Sequence, residues 1–422
     1  MFTQLKSRVL LTNGIFSALC VSFLNIPVQN NFSPLSNSVG SRALSFAGNY
    51  VSESGDISGL FWNPAGLSLN RSNGLTISGD WLMLKTHMNL ITNNNLPAIG
   101  QSLRLNGIGL IGVNQEYPGL TTGIGYQNAF SFNDINKLQT TVFQGGDSIE
   151  VNERFISRGG LNFLSIGLGV PISNNFSIGG TISYAGGSQK MLIETNQNIK
   201  DRSPQTASDN FTTEIKRLYK GYDLRLGFLY QPQSWIRTGG RLVLPSVIKF
   251  SENSIQKFKN NDSTYTIDRN GQLRSSLSGA LGASFIFAAA TVSTEFRFRA
   301  PYNYFDIAKI SPRSDASVWK KGAGMGVEVN PKPLPFLIRA GYSLDQIDPC
   351  AFLLKYEDSS TASTQSSSGL QKTISSGIGI NICRRATINC TYLYYIQNLK
   401  YLNGLRERND IQRAIIDLMI SY

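Results

Sequence analysis

The stretch "YDLRLGFLY", residues 222–230, alternates with a strict period of two. Tyr222, Leu224, Leu226, Phe228 and Tyr230 share one side of an extended chain, and Asp223, Arg225, Gly227 and Leu229 share the other. Successive strand side chains point to opposite faces, so this is a strand with one apolar and one charged or small face. A soluble sandwich strand alternates in the same way. The tyrosines at both ends of the apolar face favour a bilayer, where aromatic residues sit at the two interfaces.

The pattern recurs along the chain. In "TVSTEFRFR" (291–299) Val292, Phe296 and Phe298 oppose Glu295, Arg297 and Arg299. "NFSIGGTISY" (175–184), "LSIGLGV" (164–170) and the terminal "RAIIDLMISY" read likewise, the last with Ala414, Ile416, Leu418, Ile420 and Tyr422 on one face and Arg413 and Asp417 on the other. Parity switches within "SLRLNGIGLIG" (102–112): Leu103 and Leu105 take one parity, Ile108 and Leu110 the other. A bulge at Asn106-Gly107 restores the facing. A second irregularity is expected near Asn128, so the early strands mark where the wall is imperfect.

Short and long connections alternate. "QEYPG" (115–119), "PISNN" (171–175), "QPQS" (231–234), "FAAA" (287–290), "NPKPLP" (330–335) and "CRRA" (383–386) are tight; 196–210, 251–272 and 357–369 are long and polar. That asymmetry belongs to transmembrane barrels, with short turns at one end and long loops at the other. Applied along the chain, it gives about fourteen antiparallel strands with both chain ends on the short-turn side.

Composition agrees. Charged residues are 16% of 422, below the roughly 25% of ordinary soluble domains. The net charge of +12 is spread along the chain, which argues against a nucleic-acid partner. Lys6 and Arg8 followed by the mostly apolar 9–26 predict a signal peptide over 1–26, its cleavage position open. No later stretch suits a membrane-spanning helix, so a membrane location requires a closed barrel. The expected organisation is a signal peptide (1–26), an N-terminal hatch (27–72) and a transmembrane barrel (73–422).

Several motifs dissolve on inspection. "GIGLIG" (107–112) matches a dinucleotide fingerprint but lies inside an alternating strand, where no helix follows. In "GAGMGVEV", Gly322, Gly324, Gly326 and Glu328 form one strand face. His87 is the only histidine, expected in an outer loop, and no G-x-S-x-G elbow accompanies it. No enzyme activity, cofactor or metal is expected. Cys350, Cys383 and Cys390 show no metal-like spacing; Cys20 lies in the signal segment.

The candidate functional residues are of two kinds. "SGLFWNPAGL" (58–67) packs Leu60, Phe61 and Trp62 together and breaks at Asn63-Pro64-Ala65. Asp56 is placed to cap a turn through Phe61, and Asn63-Pro64 reads as an N-cap with proline at the first helical position. Each large apolar side chain left in water costs roughly 1.5–3 kcal/mol, so the knot is expected inside the barrel, with Phe61, Trp62, Asn63, Pro64 and Ala65 shaping or gating a plug. The second kind is the inward arginines. Arg225, Arg237, Arg241, Arg297, Arg299 and Arg339 fall on the polar face with Asp223, Glu295, Glu328 and Asp417. Most are expected to pair across strands. Arg237, Arg241, Arg225 and Arg339 are candidates for an anionic head group, with Arg237 and Arg241 first because little acid flanks them.

At "GSRALSFAGNYVSESGDISGLFWNPAGLS" (40–68) the chain resembles the mature start of FadL-type outer-membrane transporters. The counterparts are Arg42-Ala43, Ala47-Gly48, Asp56-Ile57-Ser58 and Asn63-Pro64-Ala65. The segments 227–246, 278–287 and 335–343 share the family's style. The resemblance implies a fourteen-strand barrel plugged by an N-terminal hatch in the bacterial outer membrane. It implies passive uptake of hydrophobic or amphipathic molecules, such as long-chain fatty acids or hydrocarbons, leaving sideways through a kinked early strand into outer-membrane lipid. A related branch, resembling PorV, has the same barrel and docks partner proteins in secretion or surface attachment.

Overall fold

A computed structural model describes residues 39–89, 98–117, 119–132, 134–144, 147–200, 207–259, 263–301, 319–331, 334–347, 353–356, 367–401 and 406–422. The expected signal peptide lies outside them, as does Cys350. The described residues form a closed fourteen-strand antiparallel barrel with a short helical segment before the first strand.

The strand segments are β1 (Gly74–Asn89), β2 (Ala98–Val113), β3 (Thr121–Ser131), β4 (Asp134–Gln144), β5 (Asp147–Ser173), β6 (Phe176–Lys200), β7 (Ala207–Gln233), β8 (Ile236–Val243) and β9 (Val247–Phe258). They continue as β10 (Thr264–Arg274), β11 (Ser278–Ile286), β12 (Ala290–Arg299), β13 (Lys320–Val329), β14 (Phe336–Ile347), β15 (Leu353–Tyr356), β16 (Ser367–Cys383), β17 (Ala386–Tyr401) and β18 (Arg406–Ser421). Three staves of the barrel are each interrupted once. β3 and β4 stack end to end along β5, β8 and β9 along β7, and β11 and β10 along those two in turn. Pro245, which has no N–H to donate, sits in the β8–β9 break. Short β15 pairs with the inner end of β10, above the end of β12. The ring closes where β1 pairs with β18, from Gly74↔Ser421 to Asn89↔Arg406.

Alternation places the residues as the sequence implies. Tyr222, Leu224, Leu226, Phe228 and Tyr230 are exposed on the outer wall, and Asp223 and Arg225 are buried inside. Tyr184 lies opposite Tyr222, and Phe176 opposite Tyr230. From Tyr222 to Tyr230 is roughly 26 Å at about 3.3 Å per residue, or about 20 Å of height at a tilt near 40°, close to the apolar band of such barrels. Asn106 is the extra residue of a bulge: Ser78 pairs with Gly107 and Gly79 with Leu105. β3 shifts register between Asn128 and Phe130.

Two expectations need correction. Much of 196–210 and 251–272 is strand, because β6 runs to Lys200, β7 starts at Ala207, and β9 and β10 turn only between Phe258 and Thr264. Ladder pairing continues above the membrane, where polar residues suit the outer face, while Phe155, Met191, Ile193 and Ile215 pack on the inner face. These strands form a crest. His87 lies in β1 opposite Arg408 rather than in a loop, because the β1–β18 ladder also outlasts the bilayer.

The N-terminal segment lies inside the ring. It comprises α1 (Ser41–Ser45), α2 (Gly59–Trp62) and a 3₁₀ turn, Pro64–Leu69. Leu44, Phe46, Tyr50, Leu60, Trp62 and Leu67 are almost fully buried. The wall accommodates this segment through inward glycines. A Cβ at Gly227 would overlap Asn63 Oδ1, and one at Gly179 would overlap the Pro64-Ala65 backbone.

Candidate functional site

The site begins with Asn63. Its Oδ1 accepts from Ala65 N (3.1 Å), capping the 3₁₀ turn that Pro64 opens. Its Nδ2 donates to Val51 O (2.7 Å) and to Phe228 O on β7 (2.9 Å). One buried side chain therefore caps a turn, ties two parts of the segment together and pins both to the wall. Because Ala65 N is taken, it cannot donate to Phe61 O as a continuing helix would. Arg225 Nη1 (2.9 Å) and Arg241 Nη1 (3.2 Å) donate to that carbonyl instead. The Arg225 guanidinium lies 3.9 Å from the Phe61 ring centroid, and that of Arg241 lies 5.5 Å from Trp62. Trp62 Nε1 is satisfied by Val39 O at 2.9 Å. Asp56 Oδ1 accepts from Ser58 N at 2.8 Å, turning the chain into α2.

The rest of the segment is fastened around the ring. Arg42 on α1 pairs with Glu328 on β13 at 3.0 Å. Glu53 receives Arg237 from β8 at 3.1 Å. Glu295 on β12 accepts from Tyr50 N (2.8 Å) and Val51 N (2.9 Å). Ser41 N donates to Asp417 on β18, and Ser41 O accepts from Thr391 Oγ1 on β17 (2.7 Å). Tyr50 OH donates to Asp56 Oδ2 at 2.8 Å. Burial pushes the Tyr50 phenol well above its ordinary value, Arg42 opposes this and Asp56 adds to it, so Tyr50 remains a neutral donor.

The four arginine candidates separate. Arg237 is neutralised by Glu53, an acid supplied by the N-terminal segment rather than by neighbouring strands. Arg339 pairs with Glu328 across the β13–β14 register at 2.6 Å and donates to Asn389 Oδ1 at 2.9 Å. Arg225 pairs with Asp223 two residues away at 2.6 Å. Arg241 makes no ion pair among the described residues, and its Nε has no hydrogen-bond partner. Of the four, Arg225 and Arg241 line a common cavity.

That cavity, of about 180 Å³, lies over α2. Phe61 and Trp62 contribute to its floor, and Phe130, Phe163 and Phe298 to its wall. Arg299, also lining it, makes no ion pair among the described residues, whereas Arg297 pairs with Asp345 at 2.8 Å. The aromatic wall was not foreseen. Phe163 and Leu161 sit at inward positions of β5 and join Phe132, Tyr219, Phe250 and Leu273 in one buried cluster, with Phe130 packed against it. The available signal was apolar residues on both parities above Leu164 in β5.

Ala129 and Phe130 bring the cavity wall to a seam. The β2–β3 ladder runs only from Val113↔Thr121 to Gly107↔Gln127. Beyond it, no ladder among the described residues joins Ala98–Asn106 to β3 or β4. Side chains bridge the seam: Arg104 on β2 donates to Asn128 Oδ1 at 3.0 Å and to Asp80 on β1 at 2.8 Å. Asp80 also holds Arg413 at 2.9 Å. On the outer side, Leu103 is 81% exposed.

No protein-family model matches the chain, and no curated protein matches it in sequence. Solved structures match in fold. The toluene transporter TodX of Pseudomonas putida has a TM-score of 0.59 at 12% identity, over 92% of this chain and 99% of that one. A FadL homologue of Pseudomonas aeruginosa gives 0.57 at 11%, over 91% and 98%. The toluene transporter TbuX of Ralstonia pickettii gives 0.53 at 11%, over 93% and 99%. The resemblance seen in residues 40–68 is thus matched by a shared fold along nearly the whole chain. Two of these three are toluene transporters.

Proposed function

We propose that the chain is a bacterial outer-membrane channel for passive uptake of hydrophobic or amphipathic small molecules. The carrying observation is the cavity whose floor is the Phe61-Trp62 knot and whose wall ends at the β2–β3 seam. The N-terminal segment, 27–72 as bounded from the sequence, serves as the hatch, with Asn63-Pro64-Ala65 fixing its shape. Ligand enters along the apolar inner face of the crest, rests on the aromatic floor and leaves through the seam into lipid. An engineered apolar cavity of about 150 Å³ holds benzene. The space of about 180 Å³ therefore suits a single aromatic ring, and a long acyl chain needs the hatch to move. Arg241, with Arg299 on the lining of the same cavity, is the receiver for an anionic group on an amphipathic ligand.

Uptake of labelled toluene and of a labelled long-chain fatty acid tests the proposal in a host lacking its own channels. Uptake above that of the empty host supports it, and no gain for either compound removes it. Disulfide closure of the seam separates lateral exit from passage through the hatch.

The crest supports a second reading, docking of a partner protein in secretion or surface attachment. β5 and β7 extend far beyond the Tyr184–Tyr222 level and offer an ordered outer platform. A stoichiometric co-purifying protein, together with no uptake of either compound, would favour it.

A further inference from the structure

The outer wall carries a patch that the uptake pathway does not use. Tyr184 and Tyr222 mark the upper edge of the apolar band, their ring centroids 5.7 Å apart. One outward position higher, Lys220 on β7 lies directly opposite Lys249 on β9. Two outward positions above that, Arg158 on β5 lies opposite Lys190 on β6, and Lys190 opposite Lys216 on β7. All five side chains are exposed. Neighbouring strands are about 4.8 Å apart, and like charges set directly opposite destabilise a sheet.

Acid on this face does not balance them. Glu214 pairs with Lys216 at 3.2 Å. Asp268 on β10 accepts from Asn253 at 2.8 Å. Arg154 and Glu194, at 3.4 Å, close the patch above. Arg158, Lys190, Lys220 and Lys249 make no ion pair among the described residues. Three in-register cations over a second in-register pair form a site for an external polyanion.

The vertical spread identifies the polyanion. Lys216 and Lys220 are roughly 13 Å apart along the strand at about 3.3 Å per residue. A phospholipid carries its phosphate at one depth and would meet only the lower pair. Two occupied levels require a head group with anions both at the membrane surface and well above it. We propose that this face binds a phosphorylated glycolipid of the outer leaflet, with Lys220 and Lys249 on the surface phosphate and Arg158, Lys190 and Lys216 on anionic sugar substituents above it. The inference rests on the outer-membrane placement proposed above.

The test is native mass spectrometry of the detergent-purified full chain with three added lipids: a phosphorylated bacterial glycolipid, its dephosphorylated form, and phosphatidylglycerol. The wild type is expected to retain the phosphorylated glycolipid at least tenfold better than either other lipid. The variant carrying K190Q, K216Q, K220Q and K249Q is expected to lose that preference while keeping the heat-dependent gel shift of a folded barrel. If the quadruple variant fails to fold, the two double variants K190Q/K216Q and K220Q/K249Q each report one level, with a partial loss expected from each. Retention unchanged in the folded variants, or equal retention of all three lipids, overturns the proposal. Fractionation of cells is independent: recovery outside the outer membrane would remove the placement without altering the binding result.

Discussion

Arg104 on β2 donates to Asn128 on β3 at 3.0 Å, across a height at which the two strands no longer share a ladder. A side chain there takes the place of backbone pairing. Side-chain bonds break and re-form more readily than a cooperative ladder, so the proposed lateral exit would open here with least disruption.

Replacing Arg104 by Ala removes the bridge and leaves Asp80 with Arg413. Breaking one arm of a buried ion network costs up to about 3–5 kcal/mol, and less here because the second arm stays. Uptake of a neutral aromatic probe is expected to rise several-fold with the barrel still folded. An unchanged rate in a reconstituted vesicle assay would show that exit does not limit transport.

Asn63→Ala removes the turn cap and both ties to Val51 and Phe228. A lost cap costs about 1 kcal/mol, and buried groups left unpaired about 1–3 kcal/mol each. The expected result is a loosened N-terminal segment in an intact barrel. Single-channel recording should show leak conductance absent from the wild type.

Gly227→Ala places a methyl group against Asn63 Oδ1, whereas Gly180→Ala meets only Leu226 and Arg225 atoms at 3.7 and 3.8 Å. Overpacking costs typically about 1–3 kcal/mol. The first variant is expected to lower the thermal midpoint by several degrees and the second to leave it nearly unchanged. Equal midpoints would mean the N-terminal segment is not packed against β7 as described.

Arg241→Gln, which keeps an amide donor for Phe61 O, and Arg237→Ala separate the ligand-receiving charge from the ion pair that anchors the hatch. Charge-assisted hydrogen bonds contribute about 1.5–3 kcal/mol, so Arg241→Gln should weaken binding of an aromatic carboxylate tenfold or more and spare its neutral analogue. Arg237→Ala, which strips Glu53 of its 3.1 Å partner, should loosen the hatch without that discrimination. Calorimetric titration of both ligands against both variants distinguishes the roles.

The barrel was legible because lipid imposes one rule on every strand. The alternation in 222–230, and the parity switch that located the Asn106 bulge, are local facts about neighbouring residues. The crest was not legible, since outside lipid a polar strand and a polar loop have the same composition; pairing partners decide, and those lie on other strands. The fate of the arginines was hidden similarly. Arg339 meets Glu328 within a hairpin, which spacing suggests. Arg237 meets Glu53, 184 residues earlier in the chain, which no local pattern reveals. Arg241 therefore remained as the candidate only once the N-terminal segment was seen to have claimed its neighbour.

The contacts of Ser41 carry a consequence for how the molecule is made. Residues translated early are bonded to Asp417 and Thr391 on strands translated last. The strand that holds Ser41 through Asp417 is also the strand that closes the ring against β1. Closing the wall and anchoring the interior thus draw on the same strand, β18. A chain lacking β18 would lack both the closing edge and one of the anchors of its own interior.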